Sequence, residues 1–268
     1  MVMEYIHGTT ADILRDTVDS ATLMYGTDEQ DSRFPKQMAK IQTEISSFKF
    51  PQIGSLYYSE ESSEFYIGLD LNTGMGPLQS AADYYYDLSN DLLRRAATRA
   101  PKAIKESPAF ILPVLLVHLL GIYGKETEGP LRLFNKDLGA HNILVDDDFN
   151  IVGVVDFDGV MAVPSEMAAQ YLVLSYMHVD PPGWVPAVPA IRERIERARA
   201  RMDLYKEYLI EYESEHGDGL APVGKRLEST AALACHAMLL YASHSGNWNE
   251  KWFSWALKAI QDYSESLP

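Results

Sequence analysis

Apolar positions along the chain recur at two periods, and the two periods divide it into helices and short strands. Met38, Ile41, Ile45 and Phe48 fall three or four residues apart, which predicts a helix from about Pro35. A longer stripe of the same kind, Ile191, Ile195, Ala198, Met202, Tyr205 and Leu209, predicts a helix over 190–213. Further helices are predicted from about Ala11, with Thr9 or Thr10 as its cap, and over 79–98, 109–123, 222–243 and 249–264, with Pro113 a point of local strain. Shorter apolar runs read as extended chain: 2–6, closed by His7-Gly8, then 53–58 and 65–69 around a polar turn at 59–64. The middle of the chain adds strand-like runs at 131–134, 143–145 and 151–155, the last two separated by Asp146-Asp147-Asp148. After Pro164 the pattern is helical to the end. A helix-rich body carrying two small antiparallel ribbons follows, an α+β chain that is mainly α.

Charge and composition narrow the function classes. In 268 residues, 23 Lys and Arg stand against 38 Asp and Glu, a net charge of −15, and 47% of residues are hydrophobic. That is enough apolar material for one large domain or two small ones, and too much for disorder. The acidic balance argues against a nucleic-acid partner and against an anionic membrane surface, and is compatible with a cationic small molecule. The most apolar stretch, 109–122, is broken by Pro113 and His118 and is shorter than the ~20 residues a bilayer needs. No basic, apolar leader follows Met1. The one cysteine, Cys235, lies in an apolar helical pattern and reads as a core residue in a reducing, cytosolic compartment. Arg192, Arg194, Arg197, Arg199 and Arg201 alternate with Glu193 and Glu196, the pattern of a salt-bridged solvent face. Trp252, Phe253 and Trp255 read as core, and Tyr84-Tyr85-Tyr86 carry no functional signal.

The chemistry concentrates in Asn135-Lys136-Asp137-Leu138-Gly139-Ala140-His141-Asn142-Ile143-Leu144-Val145 and in Val154-Val155-Asp156-Phe157-Asp158. A turn near Asp147 folds 143–145 and 151–155 into a hairpin, with Asn142 roughly opposite Val154 and Asp156 emerging beside the 137–142 loop. Two carboxylates and a carboxamide then meet at one end of an apolar ribbon, a donor set that suits Mg²⁺ better than zinc. Asp156 with Asn142 is placed to hold Mg²⁺ on the phosphates of a nucleotide, and Asp137 to take a proton from a substrate hydroxyl or orient it. Asp146, Asp147 and Asp148 belong to a solvated turn. Asp158 reads equally as a metal or substrate contact and as a cap. His141 reads as a packing or hydrogen-bonding residue, Lys136 as an ion-pair partner for Asp137 or Asp156, and Gly74-Met75-Gly76-Pro77 as a loop tip.

The D-x-x-x-x-N spacing of Asp137 and Asn142, with Asp156 on the next strand, resembles the catalytic and metal-binding loops of protein kinases. It is more similar to the aminoglycoside phosphotransferase and choline kinase branch, whose loop runs H-G-D-x-x-x-x-N-I-L-V, and to the phosphotransferase-family proteins abundant in fungi. Met3-Glu4-Tyr5-Ile6-His7-Gly8 resembles that family's hinge, and Ile53-Gly54-Ser55-Leu56-Tyr57 its small hairpin. The resemblance implies a protein-kinase-like fold, with 1–8 as hinge and 9–268 as helical C-terminal lobe, a catalytic loop at 135–142 and a metal-binding ribbon at 143–158. It implies ATP and Mg²⁺ as cofactors, adenine held by the backbone of Glu4 and Ile6, and transfer to a small-molecule hydroxyl. Glu166 and the helices from Pro222 onward are candidates for the substrate side. Two features depart from the family: Asn135-Lys136 replaces His-Gly, and the hinge falls at the start of this sequence, ahead of which the glycine-rich loop and strand lysine would lie. The second departure makes a catalytically inactive, pseudokinase-type binding lobe, or a truncated gene product, the alternative expectation.

Overall fold

Local capping sets the start of the second helix, while among the described residues the Thr10 hydroxyl makes no hydrogen bond that would cap the first. In a computed structural model that describes residues 6–19, 24–99, 112–115, 131–171, 188–216, 222–244 and 250–266, Thr9–Thr10 forms strand β1 and Ala11–Asp19 helix α1. Helix α2 spans Asp28–Ser47 and starts one full turn and more before Pro35. Its start is a capping box: Thr27 Oγ1 accepts the Gln30 amide at 3.3 Å and Gln30 Oε1 accepts the Thr27 amide at 2.8 Å. Pro35 therefore lies inside the helix, buried, and not at its first turn as the periodicity suggested.

The following elements are β2 (Lys49–Phe50), β3 (Gly54–Ser59), β4 (Glu64–Ile67), α3 (Ala81–Arg99), β5 (Leu131–Asn135), β6 (Ile143–Val145), β7 (Ile151–Val154) and β8 (Val160–Val163). The chain closes with α4 (Ser165–Ala168), α5 (Pro189–His216), α6 (Val223–Arg226), α7 (Thr230–His244) and α8 (Glu250–Ser266). Strands form one sheet of order β1-β6-β7 and a second of order β2-β5-β8-β3-β4, antiparallel throughout. The expected ribbons are thus parts of larger sheets, because β8, a four-residue buried run that the sequence reading passed over, joins β5 to β3. The helix predicted over 222–243 is two helices, broken where Glu228 takes a φ of +63°. Of the helix predicted over 109–123, only 112–115 lies among the described residues. The class is mixed, mainly helical, with antiparallel sheets.

Helix α2 packs against α5 and β5, and α7 against α8. The core that results joins Phe34 and Met38 of α2, Tyr205 and Leu209 of α5, and Phe134, Leu138 and Ile143 around the β5–β6 connection. Tyr84, Tyr85 and Cys235 are core residues, and burial pushes the Cys235 thiol well above its ordinary range. Arg197 pairs with Glu193 at 3.9 Å on the outer face of α5, as the charge pattern suggested. Arg201 departs from it: the side chain is buried and its Nε lies 2.8 Å from Asp31 Oδ2. No described helix is long and apolar enough to cross a membrane.

Glu166, a substrate-side candidate by sequence, is 1% exposed and accepts the Tyr85 hydroxyl at 2.8 Å, so it serves the core. Burial raises its carboxyl above the ordinary glutamate range, against the opposing pull of Tyr85 and Arg226. A raised folded-state value means that the native chain holds the proton more tightly than the unfolded chain does. The stability this contributes is present below the ordinary glutamate value and is lost as pH rises through the raised one. Glu166→Gln should therefore flatten the fall in urea midpoint as pH rises above the ordinary glutamate value of about 4.3. An unchanged slope would remove Glu166 as its source.

Candidate active site

The β6–β7 ribbon is closed and anchored before it presents any chemistry. Asp146 Oδ1 accepts the amides of Asp148 at 3.0 Å and Asn150 at 2.8 Å, and Oδ2 takes the Asn150 side chain at 2.9 Å. Those Asn150 bonds hold the Asp146 carboxyl below the ordinary range. Helix α2 grips the same turn, with Gln37 Nε2 donating to the Phe149 carbonyl at 3.1 Å and Gln37 Oε1 accepting the Ile151 amide at 2.8 Å. Arg33 Nη2 adds a bond to the Asp148 carbonyl at 2.7 Å. Asp146 thus shapes the closed end of the ribbon, and Asp147 and Asp148 lie exposed in the turn, as expected.

At the open end the register differs by one residue from the sequence expectation. Ile143 pairs with Val154, Leu144 with Gly153 and Val145 with Ile151, so a bulge absorbs Val152. The Val155 amide donates to the Asn142 carbonyl at 2.9 Å, which sets Asn142 opposite Val155 and leaves Asp156 as the next residue out. Asp156 adopts a φ of +58°, a left-handed conformation that aspartate tolerates better than most residues. Its Oδ1 accepts the Asp158 amide at 3.2 Å, so Asp158 closes a turn on Asp156, and its own side chain is exposed.

The loop after β5 folds around Asp137. Asn135, 1% exposed at the end of β5, accepts the Asp137 amide on Oδ1 at 3.0 Å and reaches the Asp156 carbonyl with Nδ2 at 3.5 Å. This one carboxamide ties the loop carrying Asp137 to the turn carrying Asp156. Buried Asn142 donates Nδ2 to the Asp137 carbonyl at 3.0 Å and to Asp137 Oδ2 at 3.4 Å. His141 Nε2 lies 3.2 Å from Asp137 Oδ1, with both side chains half in solvent. The Asp137 carboxylate is thereby oriented through both of its oxygens and remains open to a ligand. A Cβ on Gly139 would sit 2.4 Å from the His141 ring, so the loop needs glycine there for the ring to lie down on it.

Asp137, Asn142 and Asp156 are thus brought to one end of the ribbon. With its amide nitrogen committed to Asp137, Asn142 offers its side-chain oxygen outward, and Asp156 has one carboxylate oxygen outside its own turn. Two oxygen donors of this kind, few in number and partly in solvent, fit a magnesium ion that keeps waters or phosphate oxygens as its other ligands. Among the described residues no group of three or more His, Cys, Asp or Glu is placed to hold a metal ion.

Lys136 does not form the ion pair expected of it with Asp137 or Asp156. Its side chain lies half-buried over Gly159, where a Cβ would meet Lys136 Cε at 2.6 Å. Gly159 also has a φ of +85°, so glycine is required on both counts. The charge of the buried Asp70, which sequence reasoning left out of the site, also acts on Lys136; the Asp70 carboxylate accepts the Asn72 amide at 2.8 Å. The Asp-x-Asn-Thr-Gly run marks a turn at 70–74, but nothing in it signals the approach to Lys136. Of the two adenine-binding candidates, Glu4 lies outside the described residues. Ile6 is 38% exposed, packs toward Gly153 of β7, and precedes the β1 strand that pairs with β6. No family model matches the chain, and no curated protein matches it.

Proposed function

We propose that the chain is a phosphotransferase of protein-kinase-like fold that moves the terminal phosphoryl group of ATP·Mg to the hydroxyl of a small molecule. The observation that carries this reading is the convergence of Asp137, Asn142 and Asp156 through Asn135 and the ribbon register. Phosphoryl transfer asks a protein for positioning and charge neutralisation more than for covalent chemistry, and these side chains supply both kinds of group. Asn142 and Asp156 would hold the magnesium ion, which supplies neutralisation of the phosphate charge. Asp137, oriented through both carboxylate oxygens, accepts the proton of the attacking hydroxyl or aligns it. The segment running from Ile6 into β1 lies along the same ribbon, beside which the adenine ring would sit. The net charge of −15 favours a cationic acceptor.

Calorimetric titration with ATP, with and without Mg²⁺, tests the reading. Wild type binds ATP more tightly with the metal present, and Asp156→Ala loses that enhancement, weakening ATP·Mg by at least about tenfold. No heat from wild type refutes the function; an enhancement that survives Asp156→Ala refutes the ligand assignment. ADP release by the same preparation separates a working enzyme from a lobe that binds nucleotide without turnover.

A further inference from the structure

We propose that Lys136 is a phosphate-binding residue of this site: its ammonium group, set between the Asp137 loop and the Asp156–Gly159 turn, takes a phosphate oxygen of the bound nucleotide. The proposal rests on the phosphotransferase reading above and adds to it a residue that the D-x-x-x-x-N pattern does not contain. Three observations carry it. Lys136 adjoins Asp137 in sequence, at the point where β5 gives way to the loop. The end of its side chain lies against Gly159, three residues beyond Asp156, with Nζ 3.2 Å from where a Cβ would stand. Among the described residues the ammonium has neither a hydrogen-bond acceptor nor a carboxylate at contact distance, although the side chain is half-buried.

An ammonium carries three donors, and leaving them partly out of water without acceptors is costly. Burial accordingly lowers the proton affinity of Lys136; Asp70 and Asp137 act in the opposite sense from beyond contact distance, and Arg95 adds to the lowering. Neither carboxylate is free to swing onto it. Asp70 is held by Asn72 and Thr73, and Asp137 by Asn142 and His141. The position calls for an anion that arrives from solvent, and the place of Lys136, one residue before Asp137 and over Gly159, three residues beyond Asp156, points to a nucleotide phosphate. Phosphate oxygens that share their charge between a divalent cation and a lysine are neutralised from two sides, which is what a transferring phosphoryl group requires. Gly159 keeps the space open, since any side chain there would displace the lysine.

Lys136→Met and Lys136→Gln, with thermal unfolding close to that of wild type, should bind ATP·Mg about tenfold or more weakly in calorimetry, the loss expected of a charge-assisted hydrogen bond. In the wild-type protein, ATP·Mg should slow acetylation of Lys136 relative to the exposed Lys49, as read by mass spectrometry, while adenosine should not. Wild-type affinity in both variants, or equal protection by adenosine, overturns the assignment and leaves the phosphotransferase reading standing. A wild-type protein that binds no ATP·Mg overturns both. Variants that unfold shift the decision to the protection experiment, where absence of protection is again refutation.

Discussion

Asp137→Asn lowers phosphoryl transfer roughly 10²–10⁴-fold, the range by which positioned acid–base groups accelerate a reaction. ATP·Mg affinity should stay within about threefold of wild type, because a group acting mainly in the transition state contributes little to ground-state binding. The substitution keeps the shape of the side chain and removes only its charge and basicity. The loop should survive it, since its main ties are to the backbone of residue 137: Asn135 Oδ1 accepts the amide and Asn142 Nδ2 donates to the carbonyl. An asparagine oxygen at this position also still accepts from Asn142. ADP release measured with a hydroxyl compound or water as acceptor, beside calorimetry on the same preparation, reads the two effects separately. Parallel loss of binding and turnover would make Asp137 a structural residue. Turnover close to wild type would remove it from the chemistry.

How much of this site could be read from the sequence depends on the distance over which each contact acts. Asp137, Asn142 and Asp156 were legible because their spacing is fixed by a three-residue strand, a turn and a return strand, all local. The one-residue error in register was not legible, because the bulge at Leu144–Val145 depends on how α2 docks on the turn through Gln37 and Arg33, contacts more than a hundred residues apart in sequence. Asn135, which stands where the resembling family has His, hydrogen-bonds the loop backbone through the Asp137 amide. Lys136 was read as able to pair with Asp137 or Asp156, yet its side chain lies over Gly159 and feels the charge of Asp70, neither of which any local pattern connects to it. Helix α2 shows the converse: the Thr27-x-x-Gln30 capping box was present to be read, and Pro35 drew the start of the helix away from it. Strand β8 was missed because four buried apolar residues before a proline have no period to detect.

Asp31→Ala should be among the most destabilising single changes in the chain, costing about 3–5 kcal/mol, because it strands a buried arginine. Arg201 is 4% exposed, and Asp31 Oδ2 accepts its Nε at 2.8 Å. The other oxygen of Asp31 accepts the Tyr25 amide at 2.7 Å, so the substitution also orphans a buried backbone donor at the entrance to α2. Tyr25 stacks on Phe34 at 4.0 Å, while Arg201 approaches the ring of Tyr25 at 5.5 Å; the pair is therefore packed into the α2–α5 contact. That contact also holds the helix that grips the 146–150 turn, which links the stability of this distant ion pair to the position of the ribbon. Arg201→Met offers the contrast. It removes the buried charge and keeps much of the apolar stem, leaving Asp31 with the Tyr25 amide as partner, so its cost should be smaller than that of Asp31→Ala. The double variant should be less destabilised than the sum of the two single ones, because each partner's penalty is mostly that of leaving the other uncompensated. Urea unfolding of the four proteins measures the cycle. Strict additivity would mean that the two side chains act independently despite the 2.8 Å separation.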